Sequence, residues 1–567
     1  MFTEEEKKIL AQYVTSTEDN IFAIKNLSGM VGAAYARYSR AKGGFREVLL
    51  KEFIQEGAVD PKHADELIAR VLVAYGDDSV GELEGCHVSF EKISMLATKE
   101  IEDHRIGGSP IEQSTRYVLY DQKDEVGNWL YYRDESLTNN PDFGKQYVET
   151  MDFIFQTYAD LVEPMKNYFV NLKKMEDAEY DINGDGVKEK WADVQSDEKL
   201  AKAFKQTYNF DLRAKACDTL RALLPLSTLT NVGMFGNGRF FQTVITHLMS
   251  QNLQEFRVLG DKTHKACSDI IPQYVRRAKR NDYDAESRNR MRQYGSKFSA
   301  AEPEKPAQLP DYVLLDRGEK ITASYLQGKE ANAENVGRAL QEAADILQLA
   351  TMLYPYTNVS MDTLRDRIAE MSAAERAEII SAYVGERKTR RDRPGRGLEA
   401  GYEYHFDLVT NWGVYKDLMR HRMNSQQRQL FTTKIGFYMP EELVTAGFED
   451  RIKECVAKAD ALFDLIAKHD PVAAQYAVLH GHYVRWSIAF NDREAMHLLE
   501  LRSTPQGHPN YRLAAQEMHK LIAKRSKWRG DMMNFVDHND YYWSRADSEA
   551  KQRVKEQELD KKYAKTE

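Results

Sequence analysis

Cysteine is scarce in this sequence, and its placement excludes two common kinds of fold. The 567 residues contain four cysteines, Cys86, Cys217, Cys267 and Cys455, with no Cys-x-x-Cys pair. Such wide spacing fits neither a disulfide-rich secreted domain nor a zinc-binding motif. We therefore expect four structural cysteines in a reducing compartment and no metal site.

Long uncharged apolar runs are also missing, which argues against a membrane protein. The chain opens with Met1-Phe2-Thr3-Glu4-Glu5-Glu6, which is acidic where a secretory signal would be basic and then apolar. The formal net charge of -9 and the pI near 6.0 argue against a protein that coats nucleic acid through its overall field. These features predict a soluble, cytoplasmic protein that binds small anionic substrates, with no nucleic-acid or membrane partner.

The length predicts more than one domain, because 567 residues exceed what one hydrophobic core usually serves. Residues 296–310, with Pro303, Pro306 and Pro310 among small and charged residues, are typical of a linker. The predicted domains are therefore 1–300 and 301–547. A charged tail follows at 548–567. A long polar stretch at 121–210 is predicted to be an insert in the first domain.

The spacing of apolar residues predicts mainly helical structure. It indicates helices within residues 4–72, one buried helix face over 86–101, a helix over 239–253 and further helices through residue 382. The run Val313-Leu314-Leu315-Asp316 predicts a short strand. The basic loop at 387–396 is given functional weight because it leads towards the cationic motif described below.

Residues 181–186, Asp-Ile-Asn-Gly-Asp-Gly, open like a calcium-binding loop. The twelfth position of such a loop needs a bidentate carboxylate, and here it is Ala192, so the affinity for calcium would be poor. A plain Asx/Gly turn is the interpretation that we favour, and ion binding stays open.

Most of the recognisable chemistry lies in Arg420-His421-Arg422-Met423-Asn424-Ser425. Adjacent cationic and imidazole side chains followed by a serine can hold a polyanionic cofactor and leave one hydroxyl for its substrate. A distorted copy occurs at 104–117, which begins His104-Arg105 and ends Arg116-Tyr117. A lone Arg-His-Arg is more often a solvated helix end, so the interpretation depends on the repeat.

The two halves of the chain share further short blocks in the same order. The first half has Leu220-Arg221-Ala222-Leu223-Leu224-Pro225, Leu229-Thr230 and Asn237-Gly238-Arg239, and the second has Ala474-Gln475-Tyr476-Ala477-Val478-Leu479, Tyr483-Val484 and Asn491-Asp492-Arg493. These blocks align without a gap at a separation of 254 positions (491 minus 237). From the motif serine to the motif asparagine, the first half uses 128 positions (237 minus 109) and the second 66 (491 minus 425). The insert accounts for the extra length.

These motifs resemble the signature of the flavin-dependent thymidylate synthases, also called thymidylate synthase complementing proteins, and the chain is similar to a tandem version of that family. The signature reads Arg-His-Arg, two residues, Ser, one residue, Asn-Glu, one residue, Ser, one residue, Arg-Tyr. The resemblance implies an α+β fold of two tandem domains, each mostly helical around a small antiparallel sheet. It also implies a homodimer that forms a pseudo-tetramer, with sites built where different halves meet.

The first half keeps residues that hold the nucleotide in the family. The substrate-binding set implied by the resemblance is Ser109, Glu112, Ser114, Arg116, Tyr117 and Arg221, with Arg502 from the second half. A phosphate needs two or more guanidinium forks for tight, oriented binding. The cofactor triplet of this half is altered, because the positions aligned without a gap from Ser109 read His104-Arg105-Ile106.

The second half keeps residues that contact the flavin in the family. The implied cofactor-binding set is Arg420, His421, Arg422, Ser425, Asn491, Arg493 and His497. Arg493 and His497 are four positions apart on one predicted helix, so they share a face. In place of the family's nucleotide residues this half has Arg428, Leu430, Thr432, Thr433 and Gln475.

The resemblance implies an enzyme that methylates deoxyuridylate (dUMP) to thymidylate, with methylenetetrahydrofolate as carbon donor, FAD as hydride carrier and NADPH as reductant. The implied catalytic residues are Ser114, Arg116 and Arg420. Ser114 would position the nucleotide, Arg116 and Arg221 would bind its phosphate, and Arg420 with its neighbours would bind flavin and polarise the uracil carbonyls. Two alternatives stay open: a diverged flavin-dependent nucleotide-modifying enzyme, and a non-catalytic nucleotide-binding homologue.

Overall fold

A computed structural model describes most of residues 2–543. The longer ranges outside this description are 60–80, 290–301, 316–332 and 544–567, and the shorter ones are 1, 28–29, 39–40, 56–57, 105, 184, 283–284, 287–288, 303–304, 355–356, 358–359, 389, 391–393 and 401–402. The predicted tail and the predicted domain boundary therefore lie outside the described residues. Within those residues, every helix is too short or too polar to cross a membrane.

The first half is organised around a three-stranded antiparallel sheet. Its strands are β1 (Gly85–Ser94), β2 (Gly108–Glu112) and β3 (Leu229–Asn237), in the spatial order β1-β3-β2. Side chains alternate along β3, where Val232 and Met234 are buried and Asn231 and Phe235 are exposed, as expected for a strand with one solvated face. The sheet therefore presents one face to the core and one face to solvent.

Helices follow these strands in a fixed order. They are α1 (Met95–Glu102), α2 (Gly144–Leu172), α3 (Glu198–Leu220), α4 (Gly238–Met249) and α5 (Gln254–Ser268). Two begin directly at a strand end because a polar residue there caps the helix: Ser94 accepts the N–H of Ala97, and Asn237 accepts the N–H of Phe240. The predicted helix over 239–253 is confirmed as α4.

The second half has a four-stranded antiparallel sheet. Its strands are β4 (Asp311–Leu315), β5 (Glu403–Asn411), β6 (Ser425–Arg428) and β7 (Tyr483–Asn491), in the order β6-β7-β5-β4. The predicted strand at 313–316 is confirmed over 313–315 as β4, and residue 316 lies outside the described residues. The helices are α6 (Ala333–Leu353), α7 (Trp412–Leu418), α8 (Glu449–Ala467), α9 (Asp492–Arg502) and α10 (Pro509–Arg525).

Shorter elements complete the fold. Further helices cover Glu4–Leu10, Val31–Tyr38, Phe45–Val48, Glu135–Thr138, Trp191–Val194, Pro272–Val275, Met361–Glu370, Ala373–Val384, Glu441–Thr445 and Lys527–Met532. A π-helical turn covers Leu49–Phe53, and 3₁₀ turns cover Met175–Asp177, Arg221–Leu223, Arg396–Glu399 and Ala473–Ala477. Two-residue strands pair Ile54–Gln55 with Ala58–Val59 and Glu179–Tyr180 with Glu189–Lys190.

The halves repeat one order of elements: strand, helix, strand, long helix, 3₁₀ turn, strand, helix, helix. In each sheet the last of the repeated strands, β3 or β7, lies between the first two. Asn491 caps α9 as Asn237 caps α4, by accepting the N–H of Glu494. The predicted α+β fold of two tandem units is confirmed.

The halves meet around a local two-fold relation. Pro225 forms an antiparallel bridge with Leu479, which is its own counterpart at 254 positions (479 minus 225). The N–H of Leu226 donates to the carbonyl of Val478 at 2.8 Å, and the N–H of His480 donates to the carbonyl of Leu224 at 2.9 Å. Because these two bonds exchange equivalent positions, the halves are related as subunits of a symmetric dimer are.

One sequence prediction is wrong: residues 86–94 are in strand β1, and only Met95–Glu102 is helical. The pairing of β1 with β3 shifts register between Phe90 and Ile93, and Lys92 there has a φ of 55°. This bulge inserts extra residues into the alternation, so the buried positions at 90, 93 and 96 acquire helix-like spacing.

The predicted insert at 121–210 is a packed part of the molecule. Helix α2 buries Tyr147, Met151, Ile154, Tyr158 and Leu161, which recur every three or four residues. It packs against α3 and against α8 of the second half, where Asp160 accepts a hydrogen bond from Arg451. The insert therefore fastens the two halves together.

Two loops described in the sequence analysis, at 181–186 and at 387–396, form hydrogen bonds within the structure. Gly186 N–H donates to Asp181 Oδ2 at 3.2 Å and Val187 N–H to Asp185 Oδ1 at 2.8 Å, in agreement with an Asx turn between two short strands. Arg387, at the start of the basic loop, is buried and gives both arms of its guanidinium to Glu500, at 2.5 and 2.6 Å. This arginine is engaged in the core, and residues 389 and 391–393 of the loop lie outside the described residues, so the functional weight given to the loop stays a prediction.

Candidate functional site

A cavity of about 580 Å³ lies at the end of α7 and beside α9. It is lined by Glu399, Arg420, His421, Arg422, Met423, Asn491, Arg493, Glu494, His497, Leu501 and Arg502. Six of the seven predicted cofactor-binding residues are among them, and Ser425 is the exception. Helix α9 brings its residues together because positions 494, 497, 501 and 502 recur on one helix face.

His421 is held on both sides. Its Nδ1 lies 2.9 Å from Glu494 Oε1, and Arg502 donates its Nε–H to His421 Nε2 at 2.9 Å. An arginine cannot accept a hydrogen bond, so Nε2 carries the lone pair and Nδ1 carries the proton. Burial lowers the pKa of His421 to about 4, and Arg502 acts in the same direction while Glu494 opposes it. His421 is therefore a neutral imidazole of one fixed tautomer.

Glu494 joins this histidine to a second one. Its Oε2 lies 3.4 Å from Nδ1 of His497, and the rings of His421 and His497 are edge to face at 5.3 Å. Burial opposes ionisation of Glu494, but the hydrogen bonds with the two histidines lower its pKa to about 2. The cavity wall thus carries a fixed carboxylate between two imidazoles.

Those three side chains could also be considered as metal ligands, since one ligand atom from each lies within 4.8 Å of the others. The arrangement fits a hydrogen-bonded triad better. His421 Nδ1 carries a proton and its Nε2 faces an arginine N–H, so neither nitrogen offers a lone pair to a cation. Arg420 and Arg502 also line the cavity and would repel a divalent ion.

Arg420 connects the cavity to the first half. It donates through Nη2 to Glu112 Oε2, and the same nitrogen lies 3.5 Å from Glu102 Oε1. Glu112 is buried and also accepts from Lys99 Nζ at 3.0 Å. Burial would raise the pKa of Glu112, but Lys416, Lys99 and Arg420 hold it well below its ordinary value. One buried carboxylate thus anchors cations from both halves.

Lys416 is a further cation in this network. Its Nζ is 3.2 Å from Glu112 Oε1, without the geometry of a hydrogen bond to any residue that the structure describes. Burial is the main cause that lowers the pKa of Lys416 to about 8, and Lys99 adds to it. The ammonium groups of Lys99 and Lys416 lie 6.0 and 5.9 Å from the centre of the Trp412 ring. The network therefore contains more positive than negative charge.

Other predicted residues form a second contact between the halves. Arg422 donates through Nη2 to the hydroxyl of Ser109 at 3.0 Å, which links a predicted cofactor residue to a predicted nucleotide residue. Arg493 pairs with Glu399, and both line the cavity. Ser425 begins strand β6 opposite Ala489 and is exposed.

The predicted phosphate arginines have acidic partners of their own. Arg116 forms a two-armed pair with Asp218, at 2.7 and 2.8 Å, and donates to the hydroxyl of Tyr511 at 3.2 Å. Arg221 Nη2 is 3.5 Å from Asp417 Oδ2. Residues of the two halves therefore meet here as well.

Two predicted nucleotide residues have mainly local contacts. The hydroxyl of Ser114 accepts the N–H of Arg116 at 3.3 Å, which shapes the loop after β2. The ring of Tyr117 is 5.9 Å from that of Phe210 in α3 and is about half exposed. Neither residue lines the cavity of about 580 Å³.

At the corresponding place in the first half, side chains of both halves contact one another. Arg428 pairs with Glu100, and Glu100 Oε2 lies 3.1 Å from His247 Nε2. The ring of His104 is 4.6 Å from that of His247. Arg105 lies outside the described residues.

Sequence reasoning included Glu112 but missed the carboxylates Glu494 and Asp417. Glu494 lies three residues after the capping Asn491 and three before His497, a spacing that could have indicated it. Asp417 lies three residues before Arg420, on the same side of α7.

Comparison with known proteins gives one family. A family model described as thymidylate synthase complementing protein matches residues 29–273 and 324–526, which is more than half of the chain in two segments. The two segments agree with the internal repeat.

Relatives of similar length carry uninformative names. UPF0159 proteins of Chlamydia muridarum and Chlamydia pneumoniae are 34% and 35% identical, over 98% and 97% of this chain and 99% and 97% of the relatives. A UPF0159 protein of Thermoplasma acidophilum is 30% identical over 92% of this chain and 98% of its own length. The alignments therefore cover both halves of this chain.

Proposed function

Because the chain belongs to the thymidylate synthase complementing protein family, we propose that it is a flavin-dependent thymidylate synthase. It would methylate dUMP to thymidylate with methylenetetrahydrofolate as carbon donor, reduced FAD as hydride source and NADPH as reductant. The observation that carries this proposal is the single cavity lined by Arg420, His421, Arg422, Asn491, Arg493 and His497.

The residues of the cavity fit a flavin dinucleotide. A polyanion of this size needs a large concave site with several guanidinium forks, and the cavity of about 580 Å³ presents four arginines. Arg420 Nε is buried and has no hydrogen-bond partner among the described residues, so a donor remains for a ligand. When bound, FAD would supply the hydride chemistry.

The protein's own residues would bind and orient. Arg420, already tied to Glu112 of the first half, would direct its remaining N–H groups at the pyrimidine carbonyls. His421, fixed as a neutral imidazole, keeps Arg502 turned towards the site. Arg116 and Arg221 would bind the phosphate of the nucleotide, and Ser114 would position it.

The two halves would divide the work. We propose that the second half holds flavin and the first half holds the nucleotide, with Ser109, Glu112, Arg116 and Arg221 as its contribution. The contacts Arg420–Glu112 and Arg422–Ser109 support a site shared between halves of one chain. Assembly of two chains into a pseudo-tetramer, and a domain boundary near residue 300, complete the proposal.

The first test is an absorbance spectrum of the purified protein, followed by dUMP-dependent oxidation of the reduced flavin. We expect a flavin spectrum and thymidylate as product. A yellow protein that makes no thymidylate from dUMP would favour the alternative of another flavin-dependent nucleotide reaction. A colourless protein that takes up no added FAD would favour a non-catalytic homologue.

The division of labour is tested with matched arginine variants. Arg420→Ala should weaken FAD binding, and Arg116→Ala should weaken dUMP binding while FAD binding persists. Arg485→Ala is the control, because Arg485 pairs with Asp407 outside the cavity, at 3.0 Å. If Arg420→Ala bound FAD normally and Arg116→Ala did not, the assignment of the halves would be reversed.

A further inference from the structure

Two of the four cysteines lie side by side in the first half. Cys86 is in strand β1, and Cys267 is in the last turn of helix α5. The thiol of Cys86 donates to the sulfur of Cys267, with 3.9 Å between the two Sγ atoms. All four cysteines are free and buried, and Cys217 and Cys455 lie in two other helices, α3 and α8. The first two therefore form a thiol pair that joins a strand to a helix.

The pair stands at one end of a second cavity. A space of about 340 Å³ lies between β1 and α5, and its lining includes residues 88–93 of the strand and Val258, Leu259, Thr263 and Ala266 of the helix. Cys86 precedes the lining residues of the strand, and Cys267 directly follows the last lining residue of the helix.

Hydrogen bonds hold the other end of this strand and helix together. Glu255, in the first turn of α5, accepts the N–H of Ser94 at 2.8 Å and its hydroxyl at 2.7 Å. Because Ser94 ends β1, the strand and the helix run in opposite directions, and the thiol pair lies at the far end of both. A covalent bond between the two sulfurs would therefore fix the end that these hydrogen bonds leave free.

Little movement separates the two thiols from such a bond. A disulfide is about 2.05 Å long, so the sulfurs must approach by about 1.9 Å. Rotation about the Cα–Cβ bonds, with a small shift of the last turn of α5, covers a distance of this size. The helix ends one residue after Cys267, so its last turn is free to make that shift.

The contact also makes the two thiols unequal. When Cys86 is ionised, the S–H of Cys267 donates to the thiolate, so the first proton of the pair leaves easily and the second is retained. This hydrogen bond lowers the pKa of Cys86 and raises the pKa of Cys267. Cys86 is 4% exposed and Cys267 is 0% exposed, so a small oxidant reaches Cys86 first.

The second half has no equivalent pair. Cys86 lies opposite Gly236 in its sheet, and Tyr404 lies opposite Phe490, the counterpart of Gly236 at 254 positions (490 minus 236). Cys267 corresponds to Leu521 (267 plus 254). Helix α10, which carries Leu521, is therefore an internal reference for α5.

We propose that Cys86 and Cys267 are a peroxide-sensitive thiol pair and that their disulfide clamps α5 onto β1. The Cys86 thiolate attacks one oxygen of hydrogen peroxide, the O–O bond breaks, and Cys86 becomes a sulfenic acid while hydroxide leaves. The sulfur of Cys267 then attacks the sulfur of Cys86, the S–O bond breaks, and a second hydroxide leaves. The two thiol protons convert both hydroxides to water. Two thiols are thus oxidised by two electrons, and one peroxide is reduced to two molecules of water.

The first experiment treats the reduced full chain with hydrogen peroxide at about pH 8, alkylates the remaining thiols after unfolding and maps the peptides by mass spectrometry. We expect a cross-link between Cys86 and Cys267 that removes two hydrogens, or about 2 Da, and that dithiothreitol reverses. Cys217 and Cys455 are the controls, because both are also fully buried. Oxidation through unfolding would consume all four thiols alike, whereas we expect Cys86 and Cys267 to disappear at least about tenfold faster. Equal rates, or the absence of this cross-link, would overturn the proposal.

Serine variants test the order of the two steps. Cys267→Ser should stop at the sulfenic acid of Cys86, which dimedone traps as an adduct, and Cys86→Ser should give neither adduct nor cross-link. Cys217→Ser is the matched control and should still form the cross-link. If a variant does not fold, the cross-link and the relative rates in the unmodified chain still decide. A cross-link from Cys86 to Cys217 or Cys455 would count against the pair.

Hydrogen exchange measures the clamp. Amides in the last turn of α5 should exchange at least about tenfold more slowly in the oxidised chain, because the disulfide suppresses separation of the helix from the strand. Those of α10 should not change, and dithiothreitol should restore the exchange of α5. Unchanged exchange of α5 in the cross-linked chain would reject the clamp. Neither cysteine lines the cavity of about 580 Å³, so these results do not depend on the proposed thymidylate synthesis.

Discussion

The neutral state of His421 predicts how the protein responds to acid. Its pKa is about 4 in the folded chain, against an ordinary value of 6.5. Between these values the unfolded chain binds a proton that the folded chain does not, so the free energy of unfolding falls as the pH falls from 6.5 towards 4. His421→Gln keeps an acceptor for Arg502 and a donor for Glu494 while removing the titration.

The size of the effect follows from the two pKa values. Each unit of difference is worth about 1.4 kcal/mol, so His421 accounts for a loss of about 3 kcal/mol by pH 4 and about 2 kcal/mol at pH 5. The side chain is 4% exposed, so solvent screening reduces this little. His480 and His508 are also buried with lowered pKa values, so the unmodified protein loses more than this amount in total.

Urea denaturation at pH 7.5, 6.5 and 5 measures the effect. His421→Gln should be less stable than the unmodified chain at pH 7.5 but should lose about 2 kcal/mol less between pH 7.5 and pH 5. His87→Gln, on the exposed face of β1, measures the cost of the substitution itself. Parallel pH profiles for His421→Gln and the unmodified chain would refute the neutral, buried imidazole.

Three further predictions concern buried ion pairs. Glu112→Gln should lower the free energy of unfolding by about 3–5 kcal/mol, because buried cations lose their carboxylate. Adding Lys99→Met should recover part of that free energy in urea denaturation. A loss under about 1 kcal/mol in Glu112→Gln would contradict the prediction. Between pH 8 and 10.5 the unfolded chain holds a proton on Lys416 that the folded chain releases, so the free energy of unfolding should rise with pH. Lys416→Met should abolish this rise. An unchanged slope of the free energy of unfolding against pH would exclude a pKa of about 8 for Lys416. Arg387→Met should cost about 3–5 kcal/mol by stranding Glu500 yet leave FAD binding per folded molecule unchanged, as equilibrium dialysis would show.

Much of the fold could be predicted from the sequence because the repeat fixes the order of elements. The capping asparagines Asn237 and Asn491 and the paired blocks ending at Pro225 and Leu479 occupy equivalent places in the structure. Strand β1 could not be predicted, since its bulge at Lys92 breaks the period of two that identifies a strand.

The cationic part of the candidate site and Glu112 could be predicted, but Asp417 and Glu494 could not. Adjacent arginines and a histidine form an unusual run, so the motif at 420–422 is visible in one dimension. Acids such as Asp417 and Glu494 are common in helices, and only the fold shows which cations they face. Local sequence therefore indicates donors for a ligand better than it indicates the groups that orient them.

The backbone bridge between Pro225 and Leu479 has an evolutionary consequence. When identical subunits associate, each substitution appears twice and must be compatible with its own image. A chain that contains both partners is free of that constraint, so a glutamate can stand at 112 where an arginine stands at 428. Such a chain can present two different surfaces where a symmetric dimer presents one surface twice, and the arginine-histidine-arginine run at 420–422 stands in the second half without an equivalent at 104–106.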